Sequence, residues 1–296
     1  MATALVTGAN RGIGFFTALG LAERGHAVVV HARDRSKAEA AIADLRVRVP
    51  AGKFEAVAAD LSSQSDIRRL ATDVRANFPR LSLLINNAGL FSTKRIETVD
   101  GTELVFAVNH LAPFLLTNSL LDLLRANVPA RIVNVNSSSH LGAGKDVADF
   151  ATQERYDIRG AYGRSKLANL LYTKELARRL DPGVTVNALH PGLVRTGIGD
   201  IGGVISLGWK TVTLFALSPQ RGAATSLYVA TSPELANISG GYFARSRPAR
   251  NNPLADDPQR CVEDFLEQAA EHALTLAARL EHQEASIERF LELTDT

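Results

Sequence analysis

Tyr162 and Lys166, in the run Ala161-Tyr162-Gly163-Arg164-Ser165-Lys166, stand four residues apart, a spacing that puts both on one face of a helix. A phenol beside a fixed ammonium is a proton donor with a built-in perturbation. An unperturbed phenol titrates near pH ~10, and an opposite charge at contact distance lowers such a value by typically ~1 to 3 units. The pair therefore reads as a general acid, or in the reverse direction a base, for the oxygen of a carbonyl or alcohol. Far upstream, Thr7-Gly8-Ala9-Asn10-Arg11-Gly12-Ile13-Gly14 follows an apolar run and opens a helical one. Backbone N–H groups and a helix N-terminus in that setting hold a pyrophosphate. A nucleotide site and a proton donor in one chain point to redox chemistry at a carbonyl or alcohol carbon.

The second apolar run ends His31-Ala32-Arg33-Asp34. An NAD site usually puts a carboxylate on the adenosine ribose there. Ala32 holds the end of the run and Arg33 follows, while Arg11 lies in the glycine loop. Two guanidinium groups suit a 2′-phosphate, so NADP (NADPH) is the expected cofactor; Asp34, next along, is the acid an NAD site would use.

These groups need a frame. Short apolar runs at residues 4–6, 27–30, 54–58, 81–85, 131–135 and 184–189 have the composition of fully buried parallel strands. Between them, helical periodicity fits residues 15–24, 37–47, 64–77, 102–124 and 162–179. Alternation of this kind predicts an α/β fold, a doubly wound parallel sheet of the Rossmann type with right-handed crossovers. Ligands of such sheets bind at the carboxyl ends of the strands. A single domain over residues 1–250 is expected, with residues 251–296 as a C-terminal helical extension: from Pro253 onward Val262, Phe265, Leu266, Ala269, Ala273, Leu276, Ala277 and Leu280 recur at helical spacing. That stripe packs on its own subunit, or covers the pocket or meets a second copy in a homo-oligomer.

The formal net charge of +2 comes from interspersed acidic and basic residues, which argues against a nucleic-acid partner. One cysteine, Cys261, cannot form an internal disulfide, and the chain begins on a strand without a signal peptide, so a cytoplasmic location is expected. The apolar tract Ile201 to Leu217 is interrupted by Gly202, Gly203, Gly208 and Lys210 and falls short of the ~20 apolar residues of a membrane span. No metal site is expected.

Over about residues 3 to 245 the sequence resembles the short-chain dehydrogenase/reductase family. Besides the glycine loop, the matching motifs are Asp60-Leu61, Asn86-Asn87-Ala88-Gly89, Val108-Asn109, Asn134-Val135-Asn136-Ser137, Tyr162-x-x-x-Lys166 and Pro191-Gly192-x-Val194-x-Thr196. The resemblance implies that Tyr162 exchanges the proton and that Lys166 also bonds the nicotinamide ribose. It implies that Ser137 polarises the substrate oxygen, with Asn136 standing where the family more often has serine and Ser138 as the competing hydroxyl. Asn109 would hold a water of the proton relay. Asp60 and Leu61 would lie along the adenine, Asn86, Asn87, Ala88 and Gly89 along the adenosine ribose and the strand ends, and Val194 and Thr196 against the nicotinamide carboxamide, with Pro191 and Gly192 among the cofactor-binding residues.

The long segment between Ser137 and Tyr162, together with Ala161 to Asn169, resembles the retinol dehydrogenase branch, which implies a lipophilic carbonyl or alcohol substrate. The apolar and small residues of 141–150 and 193–217 would wall its pocket. His140 and Tyr156 in this segment read as packing residues or as substrate contacts. Two other readings stay open: a non-redox enzyme of the same fold, such as a dehydratase or cyclase, and a dinucleotide-sensing regulator.

Overall fold

The computed structural model describes residues 2–143, 156–194 and 217–261. Strands and helices alternate: β1 (Thr3–Val6), α1 (Gly12–Glu23), β2 (Ala27–Ala32), α2 (Arg35–Arg48), β3 (Phe54–Ala58), α3 (Gln64–Asn77), β4 (Leu81–Asn86), α4 (Leu104–Arg125), β5 (Ala130–Val135), α5 (Ile158–Arg179), β6 (Val184–His190), α6 (Pro219–Thr231), β7 (Tyr242–Ala244) and β8 (Arg247–Pro248). The sheet order is β3-β2-β1-β4-β5-β6-β7-β8, parallel throughout except for β8. The order reverses between β1 and β4, which is where a doubly wound sheet opens its ligand crevice.

The apolar runs form central strands because both their faces are covered. Side chains alternate along a strand: Ala4, Val6, Val28, Val30, Val133 and Val135 pack beneath α1, α2 and α6. Leu5, Val29, Leu84, Ile132 and Val186 pack against α3, α4 and α5 on the other face. Burying the continuous run thus needs helices on both sides, as the sequence pattern requires.

Two departures from the expected elements matter for the site. The helix expected over residues 102–124 is interrupted by a π turn at Ala107–Leu111, a local widening that often marks a functional position; Asn109 lies in it. The short β7 and β8 carry no run long enough to read as strands, and β7 is held by pairing with β6 through Ala188, Leu189 and His190.

Helix α4 is long and apolar enough to cross a bilayer, but 78% of its most apolar window is buried inside the protein, as suits a core helix. Ala255 and Cys261 are buried against Leu167, Leu170 and Tyr242, so the chain packs onto its own domain at least that far. Thr196, residues 201–216, most of 141–150 and the apolar stripe from Val262 to Leu280 lie outside the described residues.

Candidate active site

The glycine loop joins β1 to α1, and three separate anchors fix it. Thr7 Oγ1 accepts from the backbone N–H groups of Asn87 at 2.9 Å and Ala88 at 3.0 Å. The Asn87 side-chain amide donates to the carbonyls of Thr7 at 2.8 Å and Gly8 at 3.3 Å. A Cβ on Gly14 would lie 2.4 Å from both Gly8 O and Asn87 Nδ2, closer than any real contact, so only glycine lets α1 come up against this clamp. Asn87, expected along the ribose, thus spends its amide on the loop itself.

The third anchor is His31, whose role the sequence did not disclose. Its Nδ1 accepts from Gly8 N–H at 3.1 Å and its Nε2 faces Ala59 O at 3.2 Å. The first bond requires a bare Nδ1 and the second a protonated Nε2, which defines one neutral tautomer. Burial, opposed by the Ala59 carbonyl and by Asp60, pushes His31 down to about 4.

Helix α1 has no side-chain cap and no acidic residue in its first turn, so among the described residues no side chain caps its N-terminal N–H groups. An uncapped helix N-terminus behind a close-packed glycine loop fits a pyrophosphate. Asn10 and Gly12 are part-exposed on this loop, Arg11 is exposed, and Ile13 is buried.

Arg33 is exposed at the end of β2 and, like Arg11, makes no ion pair within 4 Å among the described residues. Asp34, the rival carboxylate, pairs with Lys37, whose hydrogen bond holds it below the usual carboxylate range. Asp60 Oδ1 accepts from Ser62 N at 2.9 Å and Ser62 Oγ at 2.7 Å, while Leu61 is buried in the core; at these positions side chains build the turn.

The catalytic candidates converge from β5, α4 and α5. Lys166 is buried, and its Nζ donates to Val135 O at 3.1 Å, tying α5 to the end of β5. A Cβ added to Gly89 would lie 3.6 Å from that Nζ, so the turn after β4 packs directly on the lysine. Burial pushes Lys166 down to about 8. The Tyr162 ring lies with its centroid 5.6 Å from the ammonium. Burial, and not the lysine, dominates the phenol: it is pushed up to about 12, with a Ser137 hydrogen bond pulling the other way. The lowering expected from Lys166 does not set the phenol; desolvation does.

Ser137 and not Ser138 meets Tyr162. Ser137 N donates to Asn136 Oδ1 at 2.8 Å, and Ser139 N donates to Ser137 Oγ at 3.2 Å, while Ser138 is exposed at the start of a 3-10 turn over Ser138–Gly142. A Cβ on Gly163 would sit 3.1 Å from Ser139 O, so glycine beside the tyrosine admits this turn against α5. His140 is fully buried, with Nδ1 facing Ser137 O at 2.5 Å, and Asn252 Nδ2 donates to His140 O at 2.8 Å. Packing is thus the role of His140. Asn252, some hundred residues away, carries no sequence signal for its part in holding the turn.

Asn109 is bonded on every side by the protein. Its Oδ1 accepts from Leu90 N at 2.8 Å, and its Nδ2 donates to Leu90 O at 3.0 Å and Ser165 Oγ at 3.2 Å. Its own carbonyl accepts from Asn169 Nδ2 at 2.5 Å. Tyr156 donates to Ser92 O at 3.1 Å, so it too is bound to the backbone of the turn after β4.

Behind the site, Asn86 Nδ2 donates to Asn134 Oδ1 and Thr117 Oγ1, each at 2.9 Å, and Asn134 Nδ2 to Thr173 Oγ1 at 2.9 Å. This buried chain fixes β4 and β5 to α4 and α5. Pro191 and Gly192 follow β6 part-exposed, and Val194 bridges to Leu217 and packs on Gly222 of α6.

The chain is similar to known proteins over most of its length. The model of the family described as short chain dehydrogenase matches residues 2–200. Human retinol dehydrogenase 13 is 43% identical over 265 residues, 87% of this chain and 80% of that protein. Human retinol dehydrogenase 14 is 41% identical over 273 residues, covering 86% and 81%. Among solved structures, a protein from Mycobacterium paratuberculosis superposes with a TM-score of 0.72 at 30% identity, covering 93% of each chain. The Pseudomonas aeruginosa RhlG/NADP active-site complex does so with a TM-score of 0.65 at 30% identity, covering 82% of this chain and 94% of that one. A glycine loop on an uncapped helix, the Tyr162–Ser137–Lys166 cluster and relatedness over most of its length make this chain a retinol dehydrogenase-like member of the short-chain dehydrogenase/reductase family, an oxidoreductase that works with a nicotinamide cofactor.

Proposed function

We propose that the protein is an NADP(H)-dependent oxidoreductase that interconverts a lipophilic carbonyl and its alcohol. The observation that carries the reading is the Tyr162 phenol, hydrogen-bonded by Ser137 and beside the buried Lys166. When bound, the nicotinamide supplies or accepts the hydride. Ser137 holds and polarises the substrate oxygen. Tyr162, protonated at neutral pH and held so by burial, donates the proton to that oxygen during reduction. Lys166 fixes a positive charge below the ring and would reach the nicotinamide ribose hydroxyls. Arg11 and Arg33, exposed and without ion pairs among the described residues, would take the adenosine 2′-phosphate.

The lipophilic preference rests on Leu141 and Leu193, exposed at 48% and 47% on segments that border the site, and on the retinol dehydrogenases among its relatives. The domain division, with residues 1–250 catalytic and 251–296 an extension, the absence of a membrane span and a cytoplasmic location belong to the same reading. The buried lone Cys261 suits a reducing compartment. A panel of apolar and hydrophilic ketones and aldehydes, assayed with NADPH and with NADH by loss of reduced-nicotinamide absorbance, tests it. Turnover of apolar carbonyls with NADPH is expected; turnover of hydrophilic carbonyls alone, or none, contradicts it.

A further inference from the structure

The turn after β4 presents Phe91 to the active site. Its ring lies on that of Tyr162 with centroids 3.6 Å apart and planes inclined by 22°. The residues on either side are clamped: both backbone groups of Leu90 are bonded by the Asn109 amide, and Ser92 O accepts from Tyr156. Asn109 is in turn fixed by Ser165 and Asn169 of α5, the helix that bears Tyr162. Two polar side chains, Asn109 and Tyr156, thus hold the chain on either side of Phe91 so that one aromatic face covers another. Phe91 is only part-buried, so it is not sealed into the core.

We propose that Phe91 is a positioning and specificity residue: its clamped ring fixes the orientation of the Tyr162 phenol and forms an apolar wall favouring carbonyls that carry a flat or hydrophobic group next to the reacting carbon. This rests on the carbonyl and alcohol activity proposed above. An aromatic ring stacked face to face excludes water from one side of the phenol and restricts its rotation, and a ring not sealed into the core gains contact area only with an apolar substituent. The same covering contributes to the desolvation that raises Tyr162.

Phe91→Ala, Phe91→Leu and Phe91→Tyr are compared with the parent on a phenyl alkyl ketone and on a short hydrophilic ketone across pH, with folding followed by circular dichroism. With Phe91→Ala, kcat/KM for the phenyl ketone falls about tenfold, the upper range for an aromatic pair. The hydrophilic ketone falls less, by about threefold, the share owed to the orientation of the phenol, and KM for NADPH stays within about threefold. The alkaline limb of the reduction profile moves down by about one pH unit as water reaches the phenol. Phe91→Tyr restores the parent profile, and Phe91→Leu, which keeps bulk, serves should the alanine variant fail to fold. Equal losses on both ketones, or an unmoved limb, overturn the proposal.

A second readout is independent of turnover. In the nucleotide-free protein, phenolate absorbance minus that of the matching Tyr162→Phe protein isolates Tyr162, and its ionisation moves to lower pH in Phe91→Ala. Identical titrations overturn the role of Phe91. Failure of the parent to reduce any carbonyl overturns the activity reading and leaves this titration to decide Phe91.

Discussion

Replacing His31 by Phe tests the strut beneath the glycine loop. The ring and its packing are kept, while the bonds from Gly8 N–H at 3.1 Å and to Ala59 O at 3.2 Å are lost. A backbone group left unpaired in a buried place costs about 1 to 3 kcal/mol, so the two together should cost about 2 to 4 kcal/mol at pH 7.5, with Gly8 at the loop edge at the lower end. Acid gives the variant a second signature.

At pH 7.5 the His31 ring is neutral in both folded and unfolded chains. Below about pH 6.5 the unfolded chain takes up a proton that the folded one refuses until about pH 4. Folded stability must fall over that window by up to ~1.4 kcal/mol per pH unit from this ring alone. His31→Phe removes this contribution, so the stability gap between parent and variant should narrow as pH falls from 6.5 toward 4.

Urea unfolding at pH 7.5, 6.0, 5.0 and 4.5 measures both quantities. His190, also pushed down to about 4 by burial and by its neighbours His140 and Arg245, gives both proteins a shared slope, so the difference between them is the diagnostic. A gap that stays constant with pH would refute the neutral, hydrogen-bonded tautomer. Nucleotide affinity should fall in the variant at pH 7.5, because Gly8 loses its fixed position.

Arg33→Ala should raise KM for NADPH by about tenfold or more, the loss of a charge-assisted contact, and leave NADH nearly unchanged; equal losses in steady-state kinetics would make Arg33 structural. Ser137→Ala should lower kcat by about 10² or more, whereas the exposed Ser138→Ala should stay within about twofold of the parent; the same assay reversing that order would reassign the oxygen-binding hydroxyl.

The strands and the order of motifs were legible because β-branched runs buried on both faces leave a compositional mark. The glycine loop and Tyr162-x-x-x-Lys166 were legible because chemistry restricts which residue types can stand there. Partners were much less so. Asn87 and Asn109 stand out in the sequence by their motifs, yet the partners of their amides, which hold the turns at Gly8 and Leu90, do not. An amide's type says only that it will bond to something.

The fate of His31 and Asn252 depends on carbonyls and N–H groups that the fold brings to them from remote positions, Gly8 and His140. The phenol of Tyr162 shows the same limit in electrostatics. The cation four residues away was visible in the sequence, but the desolvation that governs the phenol comes from packing. Phe91 left no signal either, since an aromatic after a strand is ordinarily core.

The central claim is that the proton passes through Tyr162, and Tyr162→Phe tests it with least disturbance, because it removes one oxygen and leaves the ring stacked under Phe91. The measurement is kcat with NADPH and an apolar ketone across pH, alongside NADPH affinity by fluorescence titration. A fall in kcat of about 10² to 10⁴ with NADPH affinity within about twofold is expected, as for loss of a general acid. Near-parental rates across the pH range would place the proton source elsewhere and contradict the account.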